Sequence, residues 1–112
     1  MAKLPNDALV VRGGQNEPDN FAKGRDVVTD ATGLLSRVSV QCASEKTVQE
    51  LSLRILNGQI GVTTVGRVRE AGGEVEPDPT SGNPYHCLLR GLDAETASGL
   101  FTPTMPNPRQ VR

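Results

Sequence analysis

Aromatic side chains are scarce in this chain. It has no tryptophan, one tyrosine and two phenylalanines, and hydrophobic residues reach only 36%. That is below the usual apolar share of a globular domain, so the core must come from Val, Leu and Ile, which suit strands and short helices. Sulfur and imidazole are equally thin. Two cysteines, Cys42 and Cys87, are too few to staple a fold. Each lies in a β-like run and reads as a small, buried, reduced thiol. One histidine, His86, and no cysteine pair at ligand spacing exclude a zinc site, so no metal is expected. No apolar run approaches the ~20 residues that a membrane span needs, and no membrane partner is expected. The N-terminal MAKLPNDALV lacks a long apolar segment, so no secretory signal is read there. Neither sign of charge dominates: the net charge is -1, with no basic block of the kind that tracks a nucleic-acid backbone.

Punctuation is what the chain has in abundance. Twelve glycines and eight prolines in 112 residues predict short elements joined by ordered loops, in a single domain over residues 1–112. Residues 8–12, ALVVR, form a compact apolar run that predicts a buried strand. Arg12 stands at its exit, and Gly13 and Gly14 turn the chain away. That pair lets a ligand approach the backbone closely, or simply makes a turn. A polar segment follows, in which NEPDNFAKG predicts one helical turn opened by Pro18 and closed by Gly24. DVVTDATG reads as a short strand or an irregular loop.

The run SRVSVQC, residues 36–42, alternates. Val38, Val40 and Cys42 share one face, and Arg37, Ser39 and Gln41 the other. One face belongs to the core; the other carries a polar row that meets solvent or floors a cleft. TVQE, residues 47–50, matches a capping box and predicts a helix over residues 48–56, stopped by Asn57-Gly58. QIGVT predicts a strand. Thr63 or Thr64 then caps a short helix, VGRVREA, which Gly72-Gly73 closes. Glu74 to Glu76 is a brief extended piece before the loop EPDPTSGNP.

Residues 83–101, NPYHCLLRGLDAETASGLF, hold the only tyrosine, Tyr85, beside the only histidine. The stretch reads as strand, glycine turn and a helix capped by Asp93. A lone imidazole next to an aromatic ring, where a loop enters a strand, is the best local candidate for chemistry. The remaining TPTMPNPRQVR has three prolines and no periodicity, so residues 103–112 are expected to lie over the surface or to form a loose tail.

The segments GVTTVGRVREAGG and HCLLRGLDAETASGLFTPTMPNP, in this order of elements, resemble C-terminal toxin domains of Rhs-type polymorphic toxins. The resemblance covers most of the chain. Within that group the arrangement is most similar to ADP-ribosyltransferase-like toxins. There an Arg closes the first core strand, as Arg12 does in VVRGG, and a Ser lies on the second, as Ser39 does in RVSVQ. A catalytic group follows on a later strand, commonly a Glu within Glu-x-Glu. Here Glu74-Val75-Glu76 has that spelling but precedes the loop, whereas His86 follows it. The catalytic position is therefore open between His86 and Glu76.

The resemblance implies a small α+β domain of two packed, short-stranded sheets with two or three peripheral helices. It implies NAD as substrate, with Arg12, Gly13 and Gly14 at its phosphates, Ser39 at the ribose and Tyr85 stacked on nicotinamide. It further implies an antibacterial toxin, delivered by a secretion system within a larger protein. Such a toxin acts in the cytoplasm of the target cell on a macromolecule such as a translation component, and a cognate immunity protein restrains it. Two other readings stand beside this one. A ribonuclease-like toxin would use His86 as general acid or base, although metal-free RNA cleavage commonly needs two such groups. A non-enzymatic binding or immunity module draws no support from the near-zero net charge and scarce aromatics.

Overall fold

The computed structural model describes residues 3–23 and 27–108. Among the described residues seven strands are interspersed with four helices in an α+β arrangement. The strands are β1 (Leu9–Gly13), β2 (Val27–Thr29), β3 (Leu35–Ala43), β4 (Gln59–Thr64), β5 (Glu74–Pro77), β6 (His86–Arg90) and β7 (Met105–Pro106). The helices are α1 (Pro18–Lys23), α2 (Val48–Leu51), α3 (Val65–Glu70) and α4 (Ala94–Phe101).

All strand pairs are antiparallel, and they form one sheet in the order β5-β6-β3-β1-β4-β7 with β2 also on β3. The expectation of two packed sheets is corrected here. The reason is the length of β3, whose nine residues serve three partners. β6 takes one edge over Val38 to Gln41. The other edge is shared, with β2 on its first half and β1 on its last three residues. A strand long enough to join both halves leaves no seam at which the sheet separates.

The alternation of β3 sets the two faces. Val38, Val40 and Cys42 join Val10, Val75, Cys87 and Leu89 in the main core. Helices α1, α3 and α4 cover that face with Phe21, Val65, Val68, Ala97 and Phe101. The rings of Phe21 and Phe101 stack with centroids 6.0 Å apart and are fully buried. Each such burial contributes about 1.5–3 kcal/mol, a large share for a core with so few rings. On the other face Val11, Leu51, Ile55 and Ile60 make a smaller cluster under α2. Past that cluster this face is open.

The predicted caps are present. Thr47 and Glu50 form the capping box of α2, Thr64 accepts from the Arg67 N–H at the start of α3, and Asp93 accepts from the Thr96 N–H at the start of α4. Helix α2 is shorter than predicted, four residues ending at Leu51. Ser52 bonds its hydroxyl back to the Val48 carbonyl at 2.7 Å, and Ile55 N–H turns tightly onto the Ser52 carbonyl at 2.9 Å. The side-chain amide of Asn107 donates to the Ile55 and Asn57 carbonyls, which fixes the turn in this unwound form. Ile55 still points inward. Four helices rather than two or three result, because the single turn at Pro18 is a full element.

The tail is also corrected. Met105 and Pro106 pair with Ile60 and Gln59, and Asn107 is buried. Its amide fills the carbonyls left open by the early end of α2, so residues 103–108 are seated on the domain. Gly24, expected to end α1, and residues 109–112 lie outside the described residues.

Candidate functional site

A cleft of about 520 Å³ opens where β1 leaves β3. β1 pairs with β3 only as far as Val11, opposite Gln41, while β2 pairs with β3 up to Val38. Beyond Val11 the chain keeps to β4, with Arg12 opposite Gly61 and Gly13 opposite Ile60. The strands therefore fork, and the fork is the cleft. Its walls include Arg12, Gly13, Gly14, Ser39, Gln41 and Arg54. Among the described residues no carboxylate lines it, and the two arginines give it a positive bias.

The two glycines have structural reasons to be there. A Cβ on Gly13 would lie 2.7 Å from Ile55 Cγ2 and closer still to the Asn57 amide. The strand can therefore pass under the turn after α2 only without a side chain. Gly14 has φ of 97°, in the left-handed region. Arg12 enters from the helix side of the sheet. It is 8% exposed, its guanidinium carbon lies 4.6 Å from the Phe21 ring centroid, and Nη1 donates to Asn16 Oδ1 at 3.1 Å. Asn16 returns two bonds, to the Arg12 and Gly14 carbonyls, at 3.1 and 3.0 Å. Arg12 is thus a fixed wall of the cleft. The exposed cation on the rim is Arg54, which the sequence reading passed over.

Ser39 enters from the open face, and behind it stands His86. The imidazole is not itself part of the cleft wall. Its Nε2 lies 3.1 Å from Ser39 Oγ, joining residues 47 positions apart. Its Nδ1 lies 2.9 Å from the Asp78 carbonyl and 3.2 Å from the Asp78 carboxylate. Both of those partners only accept, so in the neutral imidazole Nδ1 carries the proton. Nε2 then holds the lone pair, and Ser39 donates its hydroxyl proton to it. The imidazole is mostly buried, with 18% side-chain exposure, whereas Asp78 is 44% exposed.

Strand register explains the assembly. β5 and β6 form an antiparallel pair in which Pro77 faces Cys87, so the next residue, Asp78, falls beside His86 and donates its N–H to the His86 carbonyl. His86 faces Gln41 across β6 and β3, which puts Ser39 on the neighbouring diagonal. Gln41 lines both the cleft and an adjoining depression of about 420 Å³, and its Oε1 is buried without a hydrogen-bond partner among the described residues.

The other two expected residues are placed apart. Glu76 faces Leu88, which in turn faces Ser39. Two strand spacings put it about 10 Å from Ser39. Its carboxylate is held by Arg90 at 2.6 Å, on the solvent side. Tyr85 lies in the adjoining depression beyond Gln41, packs on the smaller core cluster and has the Lys46 ammonium 5.6 Å from its ring centroid. The sequence reading missed Asp78 because it lies in a proline-rich loop. The available signal was its place eight residues before the histidine across a hairpin.

Behind the site, on the core face, Cys87 Sγ approaches the Cys42 carbonyl at 3.3 Å. Both cysteines are free and buried. The contact with the Cys87 sulfur and burial push the Cys42 thiol up, so it stays protonated. Among the described residues there is no group of three His, Cys, Asp or Glu side chains able to hold a metal ion, and no helix is long and apolar enough to cross a membrane.

No family model, no curated protein and no solved structure matches the chain.

Proposed function

We propose that this domain transfers ADP-ribose from NAD to a macromolecule. The observation that carries this reading is the fork of β1 and β3, where Arg12, Gly13, Gly14 and Ser39 line one cleft. Such a dinucleotide needs its pyrophosphate held by fixed donors and its nicotinamide ribose held in a set pose. Arg54 on the rim supplies an exposed cation for the phosphates, and Arg12 a fixed positive wall. Ser39 supplies a hydroxyl at the ribose. His86, one hydrogen bond behind it, is the acid–base group that takes the acceptor's proton. Glu76 is left out of this assignment, since Arg90 holds it on the solvent side. The lack of carboxylates among the described residues of the cleft wall suits an anionic substrate.

In this reading the domain is the toxic end of a larger antibacterial protein. Its acceptor is a component of the target cell's cytoplasm, such as one of the translation machinery, and a cognate immunity protein covers the fork. The test is incubation of the purified domain with labelled NAD and a bacterial lysate. Label on protein or RNA, lost in Arg54→Ala and His86→Ala, is the expected result. Degradation of RNA without any NAD requirement would replace this reading with the ribonuclease one.

A further inference from the structure

We infer that Ser39 is a base-activated nucleophile, and that the cleft cleaves carboxylic esters carrying an anionic group. This inference does not rest on NAD chemistry. It rests on three side chains in line: the Asp78 carboxylate 3.2 Å from His86 Nδ1, and His86 Nε2 3.1 Å from Ser39 Oγ. Here the imidazole is hydrogen-bonded through Nδ1 to the Asp78 backbone carbonyl, with the Asp78 carboxylate at ion-pair distance. A hydroxyl next to an imidazole with a carboxylate behind it is the general arrangement for serine nucleophiles on unrelated folds. Each member is placed by a different device. Ser39 lies on the middle of the central strand, His86 at the start of the next strand, and Asp78 on the loop that the β5–β6 pairing folds back.

The assignment of roles follows from donors and acceptors. The Asp78 backbone carbonyl, 2.9 Å from Nδ1, cannot donate, so it and the carboxylate lock the proton on that nitrogen. The free lone pair on Nε2 faces the serine. Ser39 is half-buried and forms part of the cleft wall, so its oxygen is open to a substrate lodged there. Gln41 follows two residues later on the same strand face and carries a buried amide oxygen with no partner among the described residues. That oxygen only accepts, so the group of Gln41 that can serve the oxygen of a bound carbonyl is the NH2 of its side-chain amide. Arg54 on the rim, with no carboxylate among the described lining residues, selects a substrate with a negative group.

Ser39 Oγ adds to the carbonyl carbon while its proton passes to His86 Nε2. The ester C–O bond then breaks, and the leaving alkoxide takes that proton to depart as an alcohol. Water adds to the acyl-Ser39 ester, gives a proton to Nε2 and releases the acid, and the proton returns to Oγ. The sum is ester plus water to acid plus alcohol. Asp78 is a positioning residue, since it acts only through the imidazole.

The experiment uses the whole chain with no NAD present. A fluorophosphonate probe is incubated with the protein, and the adduct is located by intact mass and peptide mapping. One adduct on the peptide bearing Ser39 is expected, absent in Ser39→Ala and formed at least about tenfold more slowly in Asp78→Asn. p-Nitrophenyl succinate should be hydrolysed faster than p-nitrophenyl acetate, and Arg54→Ala should abolish that preference. In Asp78→Asn, kcat should fall with KM unchanged, which a merely structural loss would not produce. Peptide mapping on the unsubstituted chain decides the matter even if a variant fails to fold. A folded protein that takes no label, or takes it on another residue, overturns the proposal. Because NAD is absent throughout, that failure would leave the transferase reading to its own test.

Discussion

Gly13 passes so close beneath Ile55 that a single methyl group there would sit 2.7 Å from the isoleucine Cγ2. The contact joins the first strand to the turn that ends α2, and it forms the floor of the cleft. The cleft is thus shaped by the lack of a side chain, and its geometry is sensitive to one carbon atom.

Gly13→Ala should therefore destabilise the domain by about 1–3 kcal/mol, as overpacking of a tight contact does. Gly99 makes the opposite prediction. It lies within α4, and a Cβ there would meet nothing within 4 Å. Gly99→Ala should stabilise by about 0.5–1 kcal/mol through helix propensity alone. Urea unfolding of the two variants side by side checks both signs.

Arg54→Ala should leave stability within about 0.5 kcal/mol of the unsubstituted chain, because the residue is exposed. Affinity for an anionic ligand in the fork should fall at least about tenfold, in keeping with loss of a charge-assisted hydrogen bond. Calorimetric titration with NAD, compared with thermal unfolding of the same samples, separates the two effects.

Stability should fall on acidification. Hydrogen bonds from Thr32 hold the Asp30 carboxyl below its ordinary value, and those from Thr47 and Thr96 do the same for Glu50 and Asp93. For Glu74 partial burial works upward, but the Val75 N–H and Arg69 together outweigh it. Groups whose folded pKa is depressed contribute stability above the unfolded value and lose it as pH falls through the folded value. The melting temperature should thus decline below about pH 4, the ordinary carboxylate range. Asp93→Asn keeps a good capping residue and should flatten part of that decline. A melting series from pH 7 to pH 2 reads both.

The thiols should be silent in the folded protein. Cys42 and Cys87 are each 2% exposed, and Cys42 is held protonated. A thiol reagent should modify neither in native buffer and both in denaturant. Rapid modification of the native chain would mean that the strand pair β3–β6 opens locally.

Much of this architecture is legible from local pattern. The alternation in SRVSVQC predicts the two faces of β3, and Thr47, Thr64 and Asp93 stand where side-chain caps are required. The early end of α2 is not legible, because it depends on Asn107, some fifty residues away, bonding to the Ile55 and Asn57 carbonyls. The single sheet is not legible either, since nothing local says that one edge of β3 takes two partners. Ser39 and His86 are individually visible as a strand serine and a lone imidazole. Their contact across 47 residues is a matter of register, which only the paired strands decide. Glu76 illustrates the converse. Its Glu-x-Glu spelling is conspicuous, but its strand position hands it to Arg90.

The fork between β1 and β3 has a consequence for how the site comes into being. Its walls are drawn from residues 11–14, 20, 39–41 and 54–57, which no local order of their own would bring together. No single loop among the described residues contains the cleft; it is assembled by the pairing of β1 with β3 and β4. A ligand lodged there would hold together strands that the backbone itself leaves apart. Occupancy should then show first as slower opening of β1, read by amide hydrogen exchange at Val10 and Val11.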